Sequence, residues 1–353
     1  MNSDRTQKII NVINGQAVGW RAQVMRSGLA LLEPVYRTIA HSRNRSYDLQ
    51  KRVQRVTVPV LSIGNLTTGG TGKTPLVGWL ISQLQNRGQK PAIVSRGYGS
   101  QAGQPNDEYQ ELKLLHPDTV HIQNADRVMA AKQAIQESAA TSIVLDDGFQ
   151  HRRIARDLDI VLIDATCPFG FDHLLPRGLL REPIASLSRA DVVIVTRVDQ
   201  VTPEQLQQIL NRLTDHIDES SIALVSFACQ DWVSLNDKTP IVKTDDLVVG
   251  FCGIGNPAAF QQSLYDQHLN VAQFVRFADH YRYTQSDLDR LEQTAQQVGA
   301  TRLVCTMKDM VKLKQLDSRQ LDIVALQIGP SFVRGGSMLL NQIDKALGLA
   351  PKS

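Results

Sequence analysis

The chain has 353 residues, 42% of them hydrophobic and 5% aromatic, and a net charge of only +3. That is enough for one large domain or two of α/β type, and so small a charge gives a nucleic-acid role no support. Four scattered cysteines (Cys167, Cys229, Cys252, Cys305) form no CxxC, which argues against structural zinc and for a reducing compartment; no secretory signal and no bilayer-spanning apolar run is visible.

The charge is unevenly placed. Residues 1–56 carry ten Lys/Arg against three acids, a net +7 that leaves the rest of the chain at −4. Within this segment Val18, Trp20, Val24, Met25, Leu29, Leu32, Tyr36 and Ile39 recur at helical spacing. A basic amphipathic helix bearing Trp has the form of a membrane-surface element. The same pattern also suits a helix packed on the domain with its basic residues in water. Pro34 is expected to bend or split it.

Residues 58–63 read as a buried strand, and Gly64-Asn-Leu-Thr-Thr-Gly-Gly-Thr-Gly-Lys-Thr74 follows as a glycine-rich turn. A helix over 75–84 comes next, with Pro75 in its first turn, where a missing N–H does no harm. Strand, glycine turn and helix start are the grammar of a phosphate-binding loop. Glycines let backbone N–H groups converge on phosphate oxygens, and the helix N-terminus adds partial positive charge. Thr67, Thr68, Gly69, Gly70, Thr71 and Gly72 would form the cradle. Lys73 would reach the β- and γ-phosphates and the Thr74 hydroxyl would bind Mg²⁺. The usual first glycine of such a loop is replaced by Thr67, so Gly69 and Gly70 are expected to carry the turn.

Strand and helix then alternate. Strands are expected at 90–95, 120–123, 142–146, 158–164 and 190–196, with a helix over 125–138. This predicts a P-loop NTPase-like, mostly parallel sheet with helices on both faces, and a ligand beyond the carboxyl ends of its strands. Asp146 and Asp147 end one strand, where a carboxylate can hold Mg²⁺ directly or through water. Arg177, Arg181 and Glu182 lie in a loop, and arginine beside a transferred phosphoryl group stabilises its spread charge. Thr196-Arg-Val-Asp199 has Arg197 where a guanine-reading motif has Lys, so no guanine specificity follows. Residues 226–246 read as a polar connector. A smaller C-terminal α/β domain is expected over 247–353, after an N-terminal helical segment 1–45 and a P-loop domain 46–225. Asp107 and His280 are the two remaining candidates for acid–base work.

As a set, these motifs closely resemble the tetraacyldisaccharide 4′-kinase family. The likeness is carried by the 64–75 loop, Ser95-Arg-Gly-Tyr-Gly99, Asp146-Asp-Gly-Phe-Gln-His151 and Leu175-Pro-Arg-Gly-Leu-Leu-Arg-Glu-Pro183. Gly253-Ile-Gly-Asn-Pro257, Asp279-His280 with Tyr283-Thr284, and Thr306-Met-Lys-Asp309 extend it over about residues 20–330. The resemblance implies transfer of the ATP γ-phosphate to the 4′-hydroxyl of a tetraacylated glucosamine disaccharide 1-phosphate. It places that reaction at the cytoplasmic face of a bacterial inner membrane, on a peripheral protein with no obligate protein partner. It implies that Lys73 and Thr74 hold the triphosphate and Mg²⁺, with Lys73 also catalytic, and that Asp146 and Asp147 form the metal site. Arg181 and Glu182 would line the nucleotide. Asp107 would accept the hydroxyl proton with His280 as its partner from the other domain, and Ser95, Arg96 and Tyr98 would sit near the acceptor sugar. Pro105-Asn-Asp-Glu-Tyr109 stands where the family more often has Gly-Asp-Glu-Pro. Two rivals remain open. One is a membrane-associated regulatory P-loop ATPase, against which Thr68 stands where such switches carry lysine. The other is a small-molecule ligase or kinase of the same fold.

Overall fold

The computed structural model describes residues 3–48, 53–97, 106–235, 242–243, 245–318 and 321–350. In chain order the first half comprises α1 (Ser3–Ile13), α2 (Trp20–Asp48), β1 (Val60–Asn65), α3 (Lys73–Gln85), β2 (Pro91–Ser95), α4 (Asp107–Leu115), β3 (Val120–Gln123), α5 (Arg127–Ser138), β4 (Ser142–Asp146) and β5 (Leu158–Asp164). The second half adds β6 (Val192–Thr196), α6 (Pro203–Thr214), β7 (Ile222–Ser234), β8 (Leu247–Cys252), α7 (Pro257–Asp266), β9 (Asn270–Arg276), α8 (Gln285–Val298), β10 (Arg302–Thr306), α9 (Met307–Leu313), β11 (Asp322–Arg334) and α10 (Gly336–Ala346).

The chain divides into two compact units, one of residues 1–98, 118–227 and 330–353, the other of residues 99–117 and 228–329. This division differs from the expected one at three places. The segment around α4 belongs to the second unit, although the first unit precedes and follows it in sequence. The C-terminal helix α10 belongs to the first unit, where Asp344, 2% exposed, pairs with Arg87 at the end of α3 at 2.5 Å. The expected connector is a strand over its first part: Phe-Ala-Cys-Gln-Asp-Trp lies in the second half of β7, where exposed and half-buried residues intermingle as on a partly covered strand.

In the first unit the strands run in the order β3-β2-β4-β1-β5-β6-β7, and each neighbouring pair is parallel. β1, β2, β4, β5 and β6 are buried along their whole length, which is why they read as continuous apolar runs. In the second unit β11-β10-β8-β9 is again parallel. Its core joins Val249, Phe251, Leu288, Leu291, Met310 and Ile323.

Helix α2 is one 29-residue helix with Pro34 inside it, so of the expected bend or split the split does not occur. Its orientation inverts the ordinary amphipathic rule. The few buried residues are Ala22, Glu33 and Ala40, whereas Trp20, Val24, Leu31, Leu32, Val35 and Ile39 are exposed. Polar side chains do the anchoring. Glu33 accepts from Leu174 N at 3.1 Å and meets His173 Nδ1 at 2.9 Å, and the Tyr36 hydroxyl donates to the Arg181 carbonyl at 3.0 Å. Leu31, 79% exposed, shows how much apolar surface is left outward.

Candidate active site

The glycine turn sits between β1 and α3, at the carboxyl end of a central strand. Gly69 and Gly72 have φ of 123° and 86°, in the region that only glycine occupies at low cost. At Gly72 a Cβ would also lie 2.3 Å from the Phe227 ring, so bulk is excluded as well as handedness. Gly72 caps α3, and Lys73 and Thr74 open the helix two residues earlier than the proline suggested. Thr67 forms a bridge with Leu180, and Thr68 N donates to the Leu179 carbonyl at 2.8 Å, which ties the first half of the turn to the 174–183 loop. The second half is held from the other side. Thr196 Oγ1 donates to the Thr71 carbonyl at 3.0 Å, and Arg197, ion-paired with Asp164, donates to the Gly70 carbonyl at 2.7 Å. Thr196 and Arg197 thus brace the phosphate loop.

Asp146 and Asp147 part company at the end of β4. Asp146 closes the strand and is 7% exposed. Asp147 has φ of 55°, a left-handed turn that aspartate tolerates better than most residues. Its carboxylate accepts from Arg181 Nη1 at 2.9 Å on both oxygens and lies 3.7 Å from Lys73 Nζ. Burial pushes the Asp147 carboxyl up, but Lys73 and Arg181 outweigh it and hold it below the usual carboxylate range. Lys73 also donates to Asn65 Oδ1 at 3.3 Å, and Gln150 links Arg181 Nη1 at 3.0 Å to the Asn65 carbonyl at 2.9 Å. Arg127, 3% exposed, donates to the Asp146 carbonyl at 3.2 Å. Asn65, Gln150 and Arg127 were not singled out from sequence, and Arg197 was noted only for its place in a guanine-reading motif. Asn65 and Gln150 lie inside recognised motifs, but Arg127 is joined to the loop only through the sheet.

The donor set fits a hard divalent cation. The Thr74 hydroxyl at the first turn of α3 and the Asp146 carboxylate are both oxygen ligands of the kind Mg²⁺ takes. Asp147 is engaged by two cations, Lys73 and Arg181.

Three expectations are corrected or left outside the described residues. Glu182 is 0% exposed and meets Arg43 at 3.0 Å, Asn44 at 2.8 Å and Arg189 at 2.8 Å; it fastens α2 instead of lining a nucleotide. Ser95 is 7% exposed and bonded to His121 Nε2 at 2.8 Å, while Arg96 is exposed. Tyr98 lies outside the described residues.

The second unit carries its own polar cluster. Asp107 is the first residue of α4, where the helix N-terminus favours negative charge. His280 follows β9 with φ of 57°, a strained value for histidine, and its N–H donates to the Gly253 carbonyl at 3.1 Å. Asp107 Oδ2 meets His280 Nδ1 at 3.1 Å and Lys312 Nζ at 3.4 Å. Burial raises the Asp107 carboxyl, but the His280 bond and the Lys312 charge outweigh it and lower it; the bond to Asp107 raises His280. The pair expected to come from two domains therefore belongs to a single unit, because α4 packs against α9.

A sequence model described as tetraacyldisaccharide-1-P 4′-kinase (LpxK) matches residues 25–347. The chain is 36% identical to a tetraacyldisaccharide 4′-kinase of Anaeromyxobacter sp. strain Fw109-5 over 345 residues, covering 92% of each. It is 33% identical to one from Halothermothrix orenii, covering 83% of this chain and 84% of that one. Its fold is similar to that of LpxK from Aquifex aeolicus, solved in complex with ATP, with a TM-score of 0.71, 25% identity and coverage of 92% and 99%. With the match running through both units, the chain belongs to the tetraacyldisaccharide 4′-kinase family.

Proposed function

We propose that the chain transfers the γ-phosphate of ATP to the 4′-hydroxyl of a tetraacylated disaccharide 1-phosphate, with its residues divided into a phosphate-holding set and a proton-accepting set. The observation that carries the reading is the convergence of Lys73 and Arg181 on Asp147 beside a glycine turn that opens a helix. Two fixed cations, backbone amides and a helix N-terminus together suit a polyphosphate. Lys73 would hold the β- and γ-oxygens and stabilise the charge that develops on the transferred group, and Arg181 would share that charge. Thr74 and Asp146 would hold Mg²⁺, which would neutralise charge on the phosphates when bound.

Asp107 would take the proton of the 4′-hydroxyl as its oxygen bonds to the γ-phosphorus and the bond to the β-phosphate oxygen breaks, releasing ADP. His280 Nδ1–H would orient the Asp107 carboxylate. Arg96, exposed just after β2, would stand near the acceptor sugar.

The exposed apolar face of α2 supports work at the cytoplasmic surface of the inner membrane, where an acylated acceptor resides. No helix among the described residues is long and apolar enough to cross a membrane. Each basic residue near an anionic leaflet would add about 1 kcal/mol. The test is transfer of label from γ-labelled ATP to the tetraacylated disaccharide 1-phosphate in mixed micelles, with Lys73→Ala as control. Labelled lipid that disappears in the control supports the reading. ATP hydrolysis without labelled lipid overturns it in favour of a switch-type ATPase.

A further inference from the structure

Helix α9 follows Thr306, whose hydroxyl caps it by accepting from Asp309 N at 3.3 Å. Asp309 is 0% exposed and densely held. It accepts from Tyr283 Oη at 2.9 Å, from Gly253 N at 3.1 Å and from Thr306 Oγ1 at 2.7 Å. One turn on, Lys312 reaches back to Asp309 at 3.9 Å and across to Asp107 Oδ2 at 3.4 Å, with its side chain only 11% exposed. An ammonium so nearly buried between two carboxylates has little freedom. His280 meets the same Asp107 oxygen, and no hydrogen bond among the described residues engages Asp107 Oδ1.

We propose that Lys312, braced by Asp309, is a positioning residue for phosphoryl transfer: with His280 it grips one oxygen of Asp107 and leaves the other to receive the acceptor proton. This rests on the reading of Asp107 as base. A base that accepts a proton through one oxygen needs its other oxygen fixed, or the carboxylate rotates and the reacting geometry is lost. Two donors on Oδ2 supply that restraint. They also keep Asp107 ionised against the pull of burial and of nearby acids. The charged and titratable groups around Asp107 are Glu108 and Glu111 on α4, Lys308, Asp309 and Lys312 on α9, and Asp279 and His280 after β9. Of these, Lys312 and His280 are the groups in contact with the carboxylate.

The experiment compares Lys312→Met, Lys312→Arg and Asp107→Asn in the full chain, reading kcat, KM for ATP and the acid limb of the kcat profile, with thermal melts as a folding control. Lys312→Met is expected to lower kcat about 10- to 100-fold with KM for ATP unchanged, and to move the acid limb upward by about one pH unit. Lys312→Arg should restore the limb and most of kcat. An unshifted acid limb in Lys312→Met overturns the proposal even where kcat falls. If Lys312→Met does not fold, Lys312→Gln is read by the same criterion. Full activity in Asp107→Asn would instead remove the base reading itself, while an inactive Asp107→Asn beside an unshifted Lys312→Met would remove only the role of Lys312.

Discussion

The phosphate loop and the Asp107 cluster solve the same problem, holding charged groups still, in different ways. The loop is one run of chain between a buried strand and a helix, and its shape comes from backbone: glycine torsions, bridges to Thr67 and Thr68, and carbonyls held by Thr196 and Arg197. The Asp107 cluster is drawn from α4, the turn after β9, and α9, and its shape comes from side chains. A contiguous device is robust to what surrounds it and fails when its own residues change. A dispersed one depends on packing, and its failures show first in rate and pH dependence. A mutation series that produced the same kinetic signature in both places would dissolve this contrast.

The largest effect is expected at the loop. Lys73→Ala should lower lipid phosphorylation by about 10³-fold and weaken ATP binding together, since it removes a donor used in ground and transition states. Asp107→Asn should lower kcat by about 10²- to 10⁴-fold while ATP affinity, measured by equilibrium titration, stays within about twofold. Comparable loss of ATP affinity in the two variants would erase the distinction.

The next effects are on stability. Removing the carboxylate of Glu182 leaves Arg43 and Arg189 facing a buried site, and Glu182→Ala should cost about 3 kcal/mol in denaturant unfolding with KM for ATP little changed. A raised KM without lost stability would return Glu182 to the nucleotide. In the second unit, burial pushes Glu111 up to about 7. An acid with a raised folded-state pKa binds its proton more tightly when folded, so stability falls as pH rises from its unfolded value near 4.5 through about 7. Glu111→Gln should therefore flatten that dependence and stabilise the chain above pH 7 by up to about 3 kcal/mol, read as the pH dependence of Tm. Identical Tm curves for the two proteins would show that the carboxylate finds solvent.

The smallest expected effect on chemistry, and the most specific to membranes, lies on α2. Replacing Leu31, Leu32, Val35 and Ile39 by serine should weaken binding to anionic vesicles about 100-fold or more, at about 1 kcal/mol per side chain, and leave the melting temperature unchanged because these side chains already face solvent. A large drop in Tm would mean that the face is covered by protein.

Much of the first unit could be read from residues alone. The strands at 58–63, 142–146, 158–164 and 190–196 announce themselves because a parallel strand covered on both faces must be apolar throughout. Gly69, Gly72, Lys73 and Thr74 are recognisable because phosphate binding there is local chemistry. The apolar spacing of α2 was equally plain, but the same spacing fits a packed helix or a lipid-facing one. Burial added what the spacing could not, that Glu33 faces inward and Leu31 outward. The return of α10 to the first unit, the use of Glu182 as a fastener, the bracing by Arg197 and the convergence of Lys312 on Asp107 could not be read. Each depends on groups 127 to 257 positions apart, and linear spacing carries no signal for such pairs. Sequence thus specified the groups whose work is done within one turn of chain. Packing specified the partners of every charge that works through space, because the identity of a carboxylate's partner is set by which helix lies against it.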